Sequence, residues 1–297
     1  LLAYAVTQLA GLQVRGAGKR VVIFNLTLML PTVVFNGAYW GQCDVIYTSL
    51  CLTALYMALQ KKSARSMILF GMALSFKLQT VFFLPALLPL WLRKDIKLRH
   101  LALIPAAYMA MMIPAFWGGK SLHHALTVYT AQASTYNFMT VNGPSLYNFL
   151  PASMDRGTLY TMFSGMAMAL GMAMLAIVCL MVCLHREHIT REGTLLTCLL
   201  VLGGVPFFLP KMHERYTFGA DVLALAIAAY NPKRVWLPLL FGLSSYICYT
   251  AGLPGDAIFD LKWATVFQGA AVALTAAALY RSLNEEKAEA ALAEVKA

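Results

Sequence analysis

The 297-residue chain is 60% hydrophobic and only 12% charged, with a formal net charge of +10, an apolar share well beyond that of an ordinary soluble domain. Apolar runs long enough to cross a bilayer recur along its whole length, which excludes a soluble domain behind one signal peptide. The predicted class is an all-α polytopic transmembrane helical bundle of about eleven spans, with no nucleic-acid partner.

In chain order, "LLAYAVTQLA" opens without an initiator Met or a charged flank. It reads as a partial span at 1–13 in an N-terminally incomplete copy of a longer protein. Lys and Arg collect on the cytoplasmic side of membrane proteins. Basic clusters at Arg15/Lys19/Arg20, Lys61/Lys62/Arg65, Arg93/Lys94/Lys97/Arg99, Arg186/Arg191, Lys233/Arg234 and Arg281/Lys287 are therefore expected to face inward. Spans 21–36 and 45–60 form a hairpin with the outer turn "NGAYWGQCD". The next apolar run lies between two basic clusters, so a single crossing would leave one of them outside. A turn-back near Lys77, giving short spans at 66–76 and 78–92, removes the conflict. Span 98–116 then leads out, a long external segment covers 117–158, and 159–184 returns. Span 194–209 leads out to "PKMHERY", 216–230 returns, 235–251 leads out to "GLPGDAIFDLK", and 263–280 ends inside.

Neither an internal repeat nor a linker appears, so 1–280 reads as one transmembrane domain lacking its N-terminal part. Residues 281–297, rich in Ala, Glu and Lys, read as a solvated cytoplasmic helix. The six cysteines contain no CxxC pair and fall mostly in apolar segments, as packing residues do. His123 and His124 lack further ligands at metal-site spacing, so no metal is expected.

On this map Lys77, Lys120, Arg156, Lys211, Arg215 and Lys262 are the basic residues outside, joined by Asp44, Asp155, Glu214, Asp256 and Asp260. Charged groups at membrane depth are costly and usually functional, so a site on the outer face is expected. Asp44, beside Tyr39, Trp40 and Gln42, reads either as a helix cap or as a group near the chemistry. Lys77, close to Gln79, reads either as a snorkelling side chain or as an anion ligand. Within "KMHERY", Lys211, His213, Glu214 and Arg215 either pair among themselves or hold a phosphate. Asp221 is placed two turns below Glu214 on one helical face, directed into the bundle.

The strings "WGQCDVIY", "FGMALSFKLQTVFFLPALLPL", "TVNGPSLYNFLP" and "LPKMHERYTFGADVLAL" occur in this order between Gly37 and Tyr230. Together the set resembles the bacterial membrane mannosyltransferase-related proteins, themselves similar to the eukaryotic enzyme that adds the second mannose of glycosylphosphatidylinositol. The resemblance implies a GT-C glycosyltransferase: an integral membrane protein with an extracytoplasmic active site and a polyprenyl-phosphate-linked sugar as donor. The acceptor would be a glycan, lipid or protein. Such proteins also carry an acidic residue, expected to be the general base, in an external loop between their first two helices. The present sequence does not contain that loop.

Sugar transfer from a lipid phosphate needs a base for the acceptor hydroxyl and cations for the departing phosphate. Lys77, Lys211, His213 and Arg215 are the candidate donor-phosphate ligands, Asp44 the candidate catalytic carboxylate, and Gln42 and Glu214 positioning groups. Asn137, Asn142 and Tyr147 are weaker candidates for binding sugar hydroxyls. No P-loop or dinucleotide-binding glycine pattern is present. A transporter or lipid flippase is the main alternative, although transport favours repeat symmetry and polar residues at mid-depth. A non-catalytic membrane scaffold is a third.

Overall fold

In the computed structural model, residues 1–133, 136–253 and 258–296 are described. Asp256 and the Lys287 side chain lie outside the described set. The architecture is all-α apart from one two-residue strand pair. After α1 (Leu2–Ala10) and α2 (Ala17–Met29), Pro31 starts a short α3 (Pro31–Val33) that runs into a π-helix over Val34–Tyr39. Pro removes the backbone donor that would have continued α2. The two parts are bent by 51°, so span 21–36 is not one straight helix.

Next come α4 (Asp44–Leu59), α5 (Ser63–Phe76), a 3-10 stretch Leu78–Ala86 and α6 (Leu87–Leu92). A second 3-10 turn leads into α7 (Leu103–Met111) and α8 (Ile113–Trp117). The predicted external segment contains a helix that apolar periodicity did not reveal, α9 (Leu122–Ala133), and strand β1 (Thr140–Val141). Then follow α10 (Arg156–Leu184), α11 (Arg191–Phe208), β2 (Met212–His213), α12 (Phe218–Tyr230), α13 (Trp236–Gly252) and α14 (Leu261–Lys296). The helix α14 is continuous through position 281, where the sequence had placed the start of a separate tail.

Among the described residues, five helices are long and apolar enough to cross a membrane, or six if the bent pair is one span. Four further apolar helices are shorter. Exposure agrees with a lipid surround: α10 presents Met162, Met166, Met172, Ile177, Leu180 and Leu184 outward, far more apolar surface than a water-facing helix shows. The centre of the bundle is α11, whose residues are buried all round from Gly193 to Pro206. Phe70, Phe83, Phe218 and Phe241 are fully buried around it. Helices α5 and α7 approach so closely that a Cβ on Gly71 would stand 2.7 Å from Ala107 Cβ and also meet Ile104 O. Only glycine fits there.

Hydrogen bonds define one end of the bundle. Ser63 Oγ accepts from the Lys97 backbone N–H at 2.9 Å and lies 2.9 Å from His100 Nδ1. The Arg93 guanidinium donates to Ile189 O, and Arg234 Nε donates to Glu192 Oε1 at 2.9 Å. Thr190 Oγ1 lies 3.3 Å from Ser282 Oγ. Since Ser63 starts α5 and Lys97 follows α6, the chain must leave this end along α5 and come back through 78–92. The turn-back at Lys77 is therefore real, and the predicted inward clusters around residues 61–65, 93–99, 186–191 and 233–234 share one end.

Candidate functional site

At the opposite end, α5 stops where Lys77 adopts extended backbone (φ −157°, ψ 135°). Its side chain pairs with Asp44 Oδ1 at the start of α4. Asp44 is wholly buried, and its Oδ2 accepts from Asn36 Nδ2 at 2.9 Å. Asn36, on the π-helix, also donates to Tyr249 Oη of α13 at 2.9 Å. The π-helix thus aims a buried amide at the carboxylate, a use typical of these rare turns. Cys43 is the cap of α4, and Asp44 makes no capping bond. The helix-cap reading of Asp44 is set aside, as is the snorkelling reading of Lys77, whose side chain is 13% exposed and lies against Tyr47 and Tyr216 at 5.7 and 5.8 Å.

The "KMHERY" joint reaches the same place along a different path. Its β2 pairs in parallel with β1, Val141 opposite His213, and the Glu214 N–H donates to Val141 O at 3.2 Å. A Cβ on Gly143 would stand 2.7 Å from Met212 O, so the strap 136–149 lies directly on the joint. Lys211 holds the left-handed conformation (φ 66°) needed to enter this pairing. The Arg215 guanidinium sits 5.4 Å over Trp40 and 6.0 Å from Tyr216, with Nη1 3.3 Å from Glu214 Oε1. Its buried Nε has no hydrogen-bond partner among the described residues. A buried guanidinium donor without a partner is costly, and an anion's oxygen would relieve it.

His213 is enclosed by Tyr136 and Tyr216, with ring centroids 5.2 and 5.1 Å away. Burial, then the Arg215 and Lys77 charges, press its pKa down to about 4. Its Nδ1 lies 3.9 Å from Glu214 Oε2, but the ring is neutral at pH 7, so this is not an ion pair. Glu214 moves the other way: burial holds its carboxyl above the usual range, against the pull of Arg215 and Lys77. The neutral ring of His213 contributes stability that is complete above the unfolded value near 6.5 and is lost as pH falls toward 4. Glu214 has the opposite sign, contributing below its unfolded value and losing that contribution as pH rises through its raised pKa. A thermal midpoint followed from pH 7 to pH 4 should therefore fall less steeply in His213→Gln than in the parent. Parallel curves would mean that His213 titrates normally.

Five residues singled out in the sequence converge: Asp44, Lys77, His213, Glu214 and Arg215. The other two sit to the side. Lys211 Nζ is 3.4 Å from Asn137 Oδ1 and 5.0 Å from the Tyr160 ring. Gln42 is half-buried in the turn before α4, its N–H donating to Asn36 O at 2.9 Å. The expected relation of Glu214 to Asp221 is corrected: α12 begins at Phe218, so Glu214 is not on that helix. Asp221 instead accepts from Ser245 Oγ at 2.9 Å, itself 2.8 Å from Thr217 Oγ1. Tyr147 Oη donates to Phe208 O at 2.6 Å, so its one hydroxyl proton is already engaged within the fold. Asn36, Tyr216 and Tyr249 were missed. A lone Asn inside "VVFNGAY" was the available signal for the first, and Tyr216 completes the charged string, but nothing local marks Tyr249.

At the same end, α4, α5, α7 and the start of α1 enclose an apolar groove of about 360 Å³ lined by Val45, Ile46, Met72, Phe76 and Met111, with Leu1 and Leu2. Val45 follows Asp44 and Phe76 precedes Lys77 in the chain, but neither charged residue lines the groove. No family model matches the chain, and neither a curated protein nor a solved structure matches it.

Proposed function

We propose that this chain is a membrane glycosyltransferase of the GT-C type, related to the bacterial mannosyltransferase-related proteins. It transfers a hexose such as mannose from a polyprenyl-phosphate-linked donor to an extracytoplasmic glycan, lipid or protein acceptor. The observation that carries the reading is the unpartnered Arg215 Nε, set among Lys77, His213 and aromatic rings. These cations suit a phosphate, and the apolar groove at the same end of the bundle would take a hydrocarbon chain. The reading of about eleven spans requires α1 and the short apolar helices to cross together with the long ones, with the basic end in the cytoplasm of a bacterial plasma membrane.

In this mechanism Arg215 and Lys77 take the donor phosphate, and neutral His213 donates one hydrogen bond to it. Glu214 holds the guanidinium, and Gln42 steadies the turn that presents Asp44. Lys211 attracts the anionic head group from the rim. The acceptor oxygen attacks the anomeric carbon as the bond from that carbon to the phosphate oxygen breaks, so the electron pair leaves with polyprenyl phosphate and configuration inverts. As Lys77 moves onto the phosphate it releases Asp44, which is then free to take or direct the acceptor proton. A base in a preceding external loop would relieve Asp44 of that step.

The test is the full chain in proteoliposomes with polyprenyl-phosphate mannose and glucose. Release of polyprenyl phosphate with sugar on an acceptor supports the reading. Movement of the lipid sugar across the bilayer without transfer identifies a transporter or flippase instead. Orientation is tested separately with single cysteines in a Cys-free background: position 120 should react with an impermeant reagent outside and position 62 should not. The reverse pattern would move the site to the cytoplasm.

A further inference from the structure

A second polar concavity lies at the other end of the bundle, remote from the site above. It is a cavity of about 1090 Å³ between the start of α11, the α12–α13 corner and the middle of α14, bordered by Gln13. We propose that it binds the phosphate headgroup of an anionic bilayer lipid.

Among the described lining residues the one acid, Glu192, is already satisfied. Glu192 Oε1 accepts from Asn231 Nδ2 at 3.0 Å and Arg234 Nε at 2.9 Å, and Oε2 accepts from Asn231 Nδ2 at 2.9 Å. The corner is pinned in turn by the Lys233 N–H, which donates to Asn231 Oδ1 at 3.1 Å. Arg234 therefore balances Glu192. Lys233 and Arg281 also line the cavity, are exposed, and have no side-chain partner among the described residues. Among the described residues, two cations without a side-chain partner face one opening, and hydrogen bonds hold its rim. The N-terminal end of α11, an eighteen-residue helix, adds its positive dipole end at the same opening.

The remaining wall selects an amphiphile over a free anion. From Arg281, α14 descends past Ala278 and Ala277 to Leu274, all in the lining, a drop of about 10 Å. The cavity is thus cationic at its mouth and apolar one to two turns deeper. Trp236 stands at its side with Nε1 bonded to Lys233 O at 3.1 Å, the placement of an aromatic ring at headgroup level. Val235 and Leu239, next to it on α13, are exposed to the surround. A headgroup phosphate at Lys233 and Arg281 would leave its acyl chains against Leu274 and the outer face of α13.

The experiment uses the purified full chain in nonionic detergent, titrated with phosphatidylglycerol, phosphatidylcholine or inorganic phosphate and followed by native mass spectrometry and thermal midpoint. Phosphatidylglycerol should bind and raise the midpoint, whereas phosphatidylcholine and inorganic phosphate at equal concentration should not. The double variant Lys233→Gln/Arg281→Gln, at two exposed positions, should bind phosphatidylglycerol on the order of 30-fold more weakly. Leu274→Trp, which keeps both charges and fills the apolar wall, should weaken it as well. Parental affinity in both variants overturns the site. Inorganic phosphate binding as tightly as phosphatidylglycerol overturns the lipid as its source.

Discussion

Lys77→Met is expected to destabilise the protein by about 3–5 kcal/mol, the usual result of stripping one partner from a buried ion pair. The cost arises at Asp44, which is 0% exposed and would keep only the Asn36 amide. Adding Asp44→Asn removes the stranded charge, so the double variant should recover most of the loss, because replacing both members of such a pair is often close to neutral. Unfolding in detergent would show this directly. A double variant as unstable as Lys77→Met alone would mean that the Lys77 side chain matters for its packing against Tyr47 and Tyr216 and not for its charge. Sugar transfer, under the proposed mechanism, is lost in both variants whatever their stability.

Arg215→Lys should lower transfer on the order of 10²-fold, in the range reported for single donors to a developing negative charge, and Arg215→Ala should lower it further. Charge is kept in the first variant. What disappears is the planar fork, whose Nη1 engages Glu214 while Nε stays unpartnered, and its seat over Trp40. Lysine offers a point charge with no such division of labour. Binding of a non-transferable polyprenyl-phosphate analogue should weaken in step with activity. If both variants fold, bind the analogue like the parent and transfer normally, Arg215 serves only its ion pair with Glu214.

Most of the candidate site was legible because charge is scarce in this chain. Asp44, Lys77 and the 211–215 cluster interrupt apolar runs, and the basic loops alone divide them from the other end. The turn-back at Lys77 was legible for the same reason, since one crossing could not satisfy both flanking clusters. Fine geometry was not. Nothing in the spacing shows that Pro31 diverts the chain into a π-helix or that Asn36 meets Tyr249 across 213 positions. Partners so distant in sequence leave no periodicity to read. Glu214 and Asp221 were put on one helix because the apolar pattern runs on past Tyr216, whereas pairing with β1 holds that joint out of helical form. Helix α9 was overlooked because "LHHALTVYTAQA" has a mixed polar face and reads as loop.

The lengths of the helices that carry the site have a mechanical consequence. With 16 residues in α4, 14 in α5 and 13 in α12, these rods reach about 24, 21 and 20 Å, against a hydrocarbon layer of about 30 Å. The 29 residues of α10 extend well beyond that layer. If these short helices cross the membrane together with α10, as the proposed reading requires, the bundle is low where Asp44, Lys77 and Arg215 meet, and the polar cluster would lie at the bottom of a depression in the membrane surface. Lipids around the low flank must thin, or water must enter, and the mismatch costs fractions of a kcal/mol per ångström. Bilayer thickness consequently acts on how deeply the charges are immersed: a short-chain bilayer brings their level up to the aqueous boundary, and a thick, ordered one draws it down into oil.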